Sequence, residues 1–494
     1  MTIIRSLDQD INSVGSSNQL YMDYKERWKF YLEAYLGGEE WRNGNHLTRY
    51  QLETDAEYRA RLRETPLDNH CKSVVSVYNS FLFRTRPERD FGTLQNLPEL
   101  ADFMDDADLE GTSLDNFMKD VSTWANVFGH CFIMVSKPNI DAITRADELR
   151  GGVRPYVSVL TPLVVLDWSY ERQPNGRYVI DAMKYIEDIN DEIRTVKQWT
   201  PDTIYTWIHN TETGEAIDAF EEENQLGRVP VVVAYNAKSI VRGIGVSAIA
   251  DISDMQRAIY NAHSEITQSV RLDSHPSMVT TPDVQVGTGA GALIHMPETM
   301  DSGLKPYLLE FSGANIESIY RGIQQQIDAI DKMANTGAVR ATESRTMSGV
   351  AIETEFALLN AKLSEMADNL ELAEEQMWRL WAEYQDSEWT GYIDYPGSFN
   401  IRNTEGEIRQ LQIAASTDPV DPRVKAGIDN KIMHWLDLDD DEKQELETFQ
   451  VHIMYSPSGQ AVLAKTEAEH LALSELGYTH EYLEGGDTPT QDLQ

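Results

Sequence analysis

Between Ile352 and Leu380 the apolar residues Ile352, Phe356, Leu359, Leu363, Met366, Leu370, Ala373, Met377 and Leu380 follow one another in alternating steps of four and three. That seam predicts one helix over 350–386, and about 35 residues rising 1.5 Å each make a rod of about 50 Å. Ala357, Leu358, Leu372, Trp378 and Trp381 widen the stripe beyond the seam. A wide stripe suits a spine packed inside its own subunit, whereas the strict heptad step also suits an intermolecular coiled coil.

Elsewhere the period changes along the chain. Tyr21, Tyr24, Trp28, Tyr31 and Tyr35 recur every three or four residues and predict a helix over 20–36 with an aromatic core face. Residues 66–83 and 113–128 also read as helices, the second with Ser113 as its N-cap. GHCFIMVSKP at 129–138 reads as a short buried strand closed by a proline. From 153 to 236 the chain turns to strand patterns separated by turn residues. After Gly245, the stripe Ile252, Met255, Ile259, Ala262, Ile266 and Val270 predicts a helix that Pro276 ends. A Gly- and Pro-rich stretch of strand-and-turn character follows, and then Asn315 reads as the cap of a second stripe, Ile316, Ile319, Ile323, Ile327, Ile330 and Met333. The polar segment NTGAVRATESRTMSG at 335–349 separates this helix from the heptad helix.

Composition narrows the class. With 494 residues, 41% of them hydrophobic, several packed regions are expected in place of one small core. The longest apolar run, VPVVVA at 229–234, is far too short to cross a bilayer. The first twenty residues lack the pattern of a secretory leader, so the chain is expected to stay in a reducing cytoplasm, with Cys71 and Cys131 as free buried thiols. Acidic residues outnumber basic ones by 81 to 42, a net charge of −39. Such a chain is unsuited to gripping nucleic acid over a broad surface, because that affinity comes from Lys and Arg on phosphates. The charge fits either plain solubility or a surface that lies close to a polyanion without sticking to it.

Motifs that carry chemistry are sparse. GTGAGA at 287–292 has no following Lys-Ser or Lys-Thr and reads as turn glycines, not a phosphate loop. His130 and Cys131 are adjacent in an apolar strand, where neighbours point to opposite faces, so they read as core residues and not as a base and nucleophile. Asp437, Asp439, Asp440, Asp441 and Glu442 lack calcium-loop spacing and read as the solvated start of a helix. No catalytic residue, metal site or cofactor is expected.

The order and spacing of five segments carry a resemblance: VVSVYNSFLFRTRPE (74–88), LEGTSLDNFMKDVSTWANVFGHCFIMVSKP (109–138), RPYVSVLTPLVVLDW (154–168), GVSAIADISDMQRAIYNAHSEITQSVRLDSHP (245–276) and TMSGVAIETEFALLNAKLSEMADNLELAEE (346–375). Together they resemble the portal proteins of tailed bacteriophages, the ring-shaped head-to-tail connectors. The resemblance spans about 75–385 and rests on no short diagnostic motif. It implies an α+β, mostly helical, portal-like fold with a wing, a two-helix stem, a small α/β clip, a long spine helix and a helical crown. The wing would take 1–244, with its β-rich part at about 153–236. Stem helices would take 245–275 and 315–334, on either side of a clip at 276–314. A tunnel loop at 335–349 would lead into the long wing helix at 350–386, wing strands and linker at 387–403, and crown and tail at 404–494.

What the resemblance implies for function is a non-enzymatic, twelve-subunit ring at the capsid vertex, a conduit for double-stranded DNA in packaging and ejection. Its partners would be the terminase motor, head-completion and tail adaptor proteins, and the major capsid and scaffold proteins. It would belong to the virion and assemble in the host cytoplasm, with no membrane involved. DNA would slide past without tight binding, touched by Arg340, Glu343, Arg345, Thr346 and Met347 of the tunnel loop. Ile252, Ile259, Ile266, Ile319, Ile323, Ile327 and Ile330 would pack the stem. The competing expectation is another self-assembling virion or scaffold protein that uses the heptad helix to oligomerise.

Overall fold

A computed structural model describes residues 17–138, 151–274, 314–340 and 349–399, with short pieces at 277–279, 285–286, 294–295, 301, 307–309, 452–455, 461–464, 473–474 and 476–478. The chain divides into two units, Met1–Asn400 and Ile401–Gln494.

The first unit begins with helices whose ends are written in local chemistry. Helix α1 (Gln19–Leu36) starts where the Asn18 side chain accepts from the Leu20 amide, and α2 (Gly38–Asn43) follows the turn at Gly37. Helix α3 (Asp55–Glu64) opens on a capping box in which Thr54 and Glu57 satisfy each other's backbone amides. Helix α4 (His70–Leu82) starts at Asn69, whose side chain accepts from Lys72, so it begins later than its apolar pattern suggests. Strand β1 (Glu88–Asp90) and α5 (Glu99–Asp105) lead to α6 (Leu114–Phe128). Ser113 holds the N-cap position of α6, but its side chain makes no capping hydrogen bond.

Helix α6 stops at Gly129, which has φ 92°. A side chain there would also collide with Gly245, so glycine is required at this crossing on two counts. Strands β2 (His130–Ser136) and β3 (Tyr156–Leu160) come next. They are followed by β4 (Val165–Arg172), β5 (Tyr178–Ile189), β6 (Ile193–Trp199), β7 (Thr203–Asn210) and β8 (Ala216–Glu223), which form one antiparallel sheet in sequence order. Strand β9 (Val231–Tyr235) returns to make the three-stranded sheet β3-β2-β9, whose centre, β2, is buried at every residue.

Helix α7 (Ala250–Ser274) precedes two small antiparallel pairs. Strand β10 (Ser277–Val279) pairs with β13 (Tyr307–Leu309), and between them β11 (Gln285–Val286) pairs with β12 (Ile294–His295). Helix α8 (Ala314–Ala334) then packs along α7. It begins at Ala314, so Asn315 lies in its first turn and does not cap it. The short α9 (Gly337–Arg340), the long α10 (Gly349–Glu383) and β14 (Tyr392–Asp394), which pairs with β1, complete the unit.

The seam of α10 faces its own subunit. Leu359, Leu363, Met366, Leu370, Ala373, Met377 and Leu380 are buried in a core shared with α1, α4, α6, α7 and β2. Of the five residues read as widening that stripe, Trp378 and Trp381 are buried, whereas Ala357, Leu358 and Leu372 are exposed. Glu374 is fully buried, and Arg89 (2.6 Å), Tyr395 Oη (2.6 Å) and Trp378 Nε1 (3.3 Å) surround its carboxylate. Arg89 also reaches Asp115 at 2.6 Å, so one charge network joins β1, α6, α10 and the segment after β14. The fold of this unit is α+β.

In the second unit, β15 (His452–Tyr455) pairs antiparallel with β16 (Ala461–Ala464). The acidic run Asp437–Glu442, the expected helical crown apart from these pieces, and the C-terminal tail lie outside the described residues, as does GTGAGA.

Candidate functional site

Of the tunnel-loop residues expected to touch DNA, the described structure places Arg340, where α8 ends and the short α9 follows. Asn335 takes φ 57°, the left-handed conformation that closes a helix, and the Thr336 amide donates back to the Asp331 carbonyl at 2.9 Å. The chain is thereby folded over the last turn of α8, and the Val339 and Arg340 amides donate to the Thr336 carbonyl to form α9.

That reversal carries Arg340 onto Asp331. Arg340 Nη1 lies 2.8 Å from Asp331 Oδ1, with the two side chains 12% and 7% exposed. Its second terminal nitrogen, Nη2, lies 2.8 Å from His70 Nδ1 at the start of α4. A guanidinium only donates, so Nδ1 accepts and Nε2 carries the ring proton. Nε2 faces Asp68 Oδ2 at 3.3 Å. The His70 hydrogen bond is the main reason the Asp68 carboxyl is held below the usual carboxylate range. The Arg340–His70 hydrogen bond thus lies between two carboxylates, Asp68 beside His70 and Asp331 beside Arg340, and the row joins the start of α4 to α8 and α9.

A second tie lies beside it. Tyr78 Oη donates to the Ala334 carbonyl at 2.7 Å, and Lys362 Nζ donates to Tyr78 Oη at 2.7 Å. The end of α8 is therefore bound to α4 and, through Lys362, to α10. Burial pulls Lys362 down to about 8 and pushes the Tyr78 hydroxyl up. Gly337 fits under Glu355 of α10, where a side-chain carbon would crowd the carboxylate at 2.7 Å.

Among the residues expected to touch DNA, Arg340 is thus engaged on both sides within its subunit, while Glu343, Arg345, Thr346 and Met347 lie outside the described residues. In the helix pair, Ile252, Ile259, Ile323 and Ile330 are buried, and Ile266, Ile319 and Ile327 are partly buried against the same core. Gln256 of α7 is also fully buried, accepting from the Cys71 amide and donating to the Ala34 carbonyl, both at 2.9 Å. It fixes α7 to α1 and α4.

Sequence reasoning named Arg340 but missed His70, Asp331, Tyr78 and Lys362. The available signal was a charged residue, Asp331, on the apolar side of the second isoleucine stripe, one residue after Ile330. Such a residue needs a partner when buried. His130 and Cys131 are buried as expected: desolvation pulls His130 down to about 3 and pushes the Cys131 thiol up, so neither is poised for chemistry. No cluster of His, Cys, Asp or Glu able to hold a metal ion occurs among the described residues.

A family model described as phage portal protein, SPP1 Gp6-like, matches residues 24–410. No curated protein matches. Among solved structures, the chain is similar at 10% identity to one from the virion of a native gene transfer agent particle, with TM-score 0.40 over 81% of this chain and 98% of that one. It is similar, again at 10% identity, to one from the neck of an empty gene transfer agent particle, with TM-score 0.43 over 80% of this chain and 98% of the other.

Proposed function

The chain belongs to the SPP1 Gp6-like phage portal protein family and is a structural, non-enzymatic protein, and from that premise we propose that it is one subunit of a closed ring at a capsid vertex through which double-stranded DNA passes. In this reading α7 and α8 are the stem, and the two small strand pairs between them belong to the clip. The helices up to about residue 244 and α10 build the wing, and 404–494 the crown.

Family membership over 24–410 is the observation that carries the proposal. The surface supports it: Tyr320 on α8 and Leu358 on α10 are 57% and 54% exposed, with Val270, Met333 and Leu372 also exposed. Large apolar side chains on the outside of stem and spine helices suit burial against neighbouring copies. The heptad seam is already buried within the subunit, which disfavours an intermolecular coiled coil along it.

The charge of −39 supports passage over binding, since a ring of such subunits repels phosphates at short range. Arg340 then works as a tether: it fixes the root of the tunnel loop, while Arg345 and Thr346, with Glu343 and Met347 beside them, make the passing contacts. The clip is the docking surface for the terminase motor and later for head-completion and tail adaptor proteins; the wing meets capsid and scaffold proteins. Negative-stain imaging of the purified chain tests the ring. Annular particles with a stain-filled centre are expected; monomers or solid rods would refute it.

A further inference from the structure

The five-stranded sheet treats its two edges differently. At the β4 edge, the carbonyls of Leu166 and Trp168 accept from the backbone and side-chain amides of Asn18 at 3.1 and 3.0 Å, so the entry to α1 covers the row. At the β8 edge no strand pairs among the described residues, and every residue from Ala216 to Glu223 is exposed. Asn224 donates to the Asp202 carbonyl and Asn210 to the Glu215 carbonyl, both at 2.9 Å. Antiparallel pairing alternates residue by residue, so those two contacts turn the amides and carbonyls of Ala219, Glu221 and Glu223 away from β7. The Ala219 amide is taken by its neighbour, donating to Asp218 Oδ1 at 2.8 Å, so the open template for another strand is the row of the Ala219 carbonyl and the amides and carbonyls of Glu221 and Glu223.

Charge decides what can use it. Between Gln198 and Gly227 there is no Lys or Arg, while Glu212, Glu215, Asp218, Glu221, Glu222 and Glu223 lie on or beside β8. A second copy of β8 would set carboxylate against carboxylate, which is unfavourable across a strand pair. A basic strand would meet the opposite sign at Asp218, Glu221, Glu222 and Glu223. Phe220, opposite Thr206, supplies an exposed ring between Asp218 and Glu222 on one face, and Ile217 is exposed at the bulge beyond.

We propose that the β8 edge docks an extended basic segment of a partner protein, added antiparallel as a sixth strand. Facing Glu223 back to Asp218, its residues would run basic, basic, basic, apolar, small, basic. This does not depend on the ring, and it uses a surface separate from the helix pair and the Arg340 anchor.

The test uses the full chain and two labelled peptides, one containing Lys-Lys-Lys-Val-Thr-Lys and one with Glu in place of each Lys. Fluorescence anisotropy reads binding, and hydrogen exchange reads where it occurs. The lysine peptide should bind and protect the amides of Glu221 and Glu223, and the glutamate peptide should not. Glu221→Pro removes an outward amide without touching the β7 ladder and should weaken binding on the order of tenfold. Glu221→Gln, which removes the same charge but keeps the amide, should weaken it far less. Equal losses in the two variants, or protection elsewhere on the acidic surface, would reduce the effect to general charge attraction and overturn the proposal. Protection of those two amides before any peptide is added would assign the edge to a second copy and overturn it equally. Because the exchange measurement uses the unmodified chain, it decides the matter even if the proline variant fails to fold.

Discussion

Arg340 Nη1 lies 2.8 Å from Asp331 Oδ1, and this pair holds α9 against the last turn of the helix it follows. Both groups are largely withdrawn from water, so removing one leaves the other charged and without its counter-charge. Arg340→Gln is expected to destabilise the fold by about 3 kcal/mol. Adding Asp331→Asn to that variant should recover much of the loss, because neither charge then remains. Denaturant unfolding of the two single variants and the double variant measures the coupling. A wild-type midpoint for Arg340→Gln would mean that the pair does not anchor the segment.

Lys362 gives a pH dependence with a definite sign. Its folded-state pKa is lowered by burial from 10.5 to about 8. Between those values the unfolded chain holds a proton that the folded chain has released, so this lysine's contribution to stability rises with pH from about 8 to 10.5. Below pH 8 both states are charged and the cost of burying the ammonium is fully felt. Lys362→Met should remove this rise, most visibly when wild type and variant are compared by unfolding at pH 7 and pH 10. Parallel pH profiles for the two would show that Lys362 is solvated.

Glu374 is the centre of a second buried network. Glu374→Ala would strip Arg89 of its fully buried carboxylate, leaving it only the partly exposed Asp115, and would remove the acceptor of the Tyr395 hydroxyl. A loss on the order of 3 to 5 kcal/mol is expected, read as a lower denaturant midpoint. A loss under about 1 kcal/mol, the size found for exposed pairs, would contradict the buried geometry.

Exposed apolar residues should separate folding from assembly. Tyr320→Lys and Leu358→Lys change side chains that are more than half exposed and are expected to change monomer stability by about 0.5 kcal/mol or less. In a ring they would put charge into the contact between copies, and the assembled fraction should fall sharply. Sedimentation velocity beside circular dichroism reads both quantities. Normal assembly by the double variant would show that these side chains do not face a neighbour.

The sequence was most legible where a period ran long. The heptad seam placed α10 within a few residues, and the two isoleucine stripes placed α7 and α8. It was less legible where local caps outweighed pattern. Asn69 delayed α4, and the short α3 was announced only by Thr54 and Glu57. The surface was misread at Leu358 and Leu372, since apolar residues beside a seam look alike in sequence whether they meet the core or face outward. The anchor of Arg340 was illegible for another reason: Asp68, His70 and Lys362 are far from it along the chain, and only the reversal at Asn335 brings them together.

Native mass measurement of the purified chain bears most directly on its role. A subunit of 56.1 kDa that works as a portal should appear as one closed species near twelve times that mass, and at moderate salt it should carry no bound duplex DNA. A chain that stays monomeric at every concentration, or forms an open series of masses without a closed species, would contradict the ring and with it the conduit.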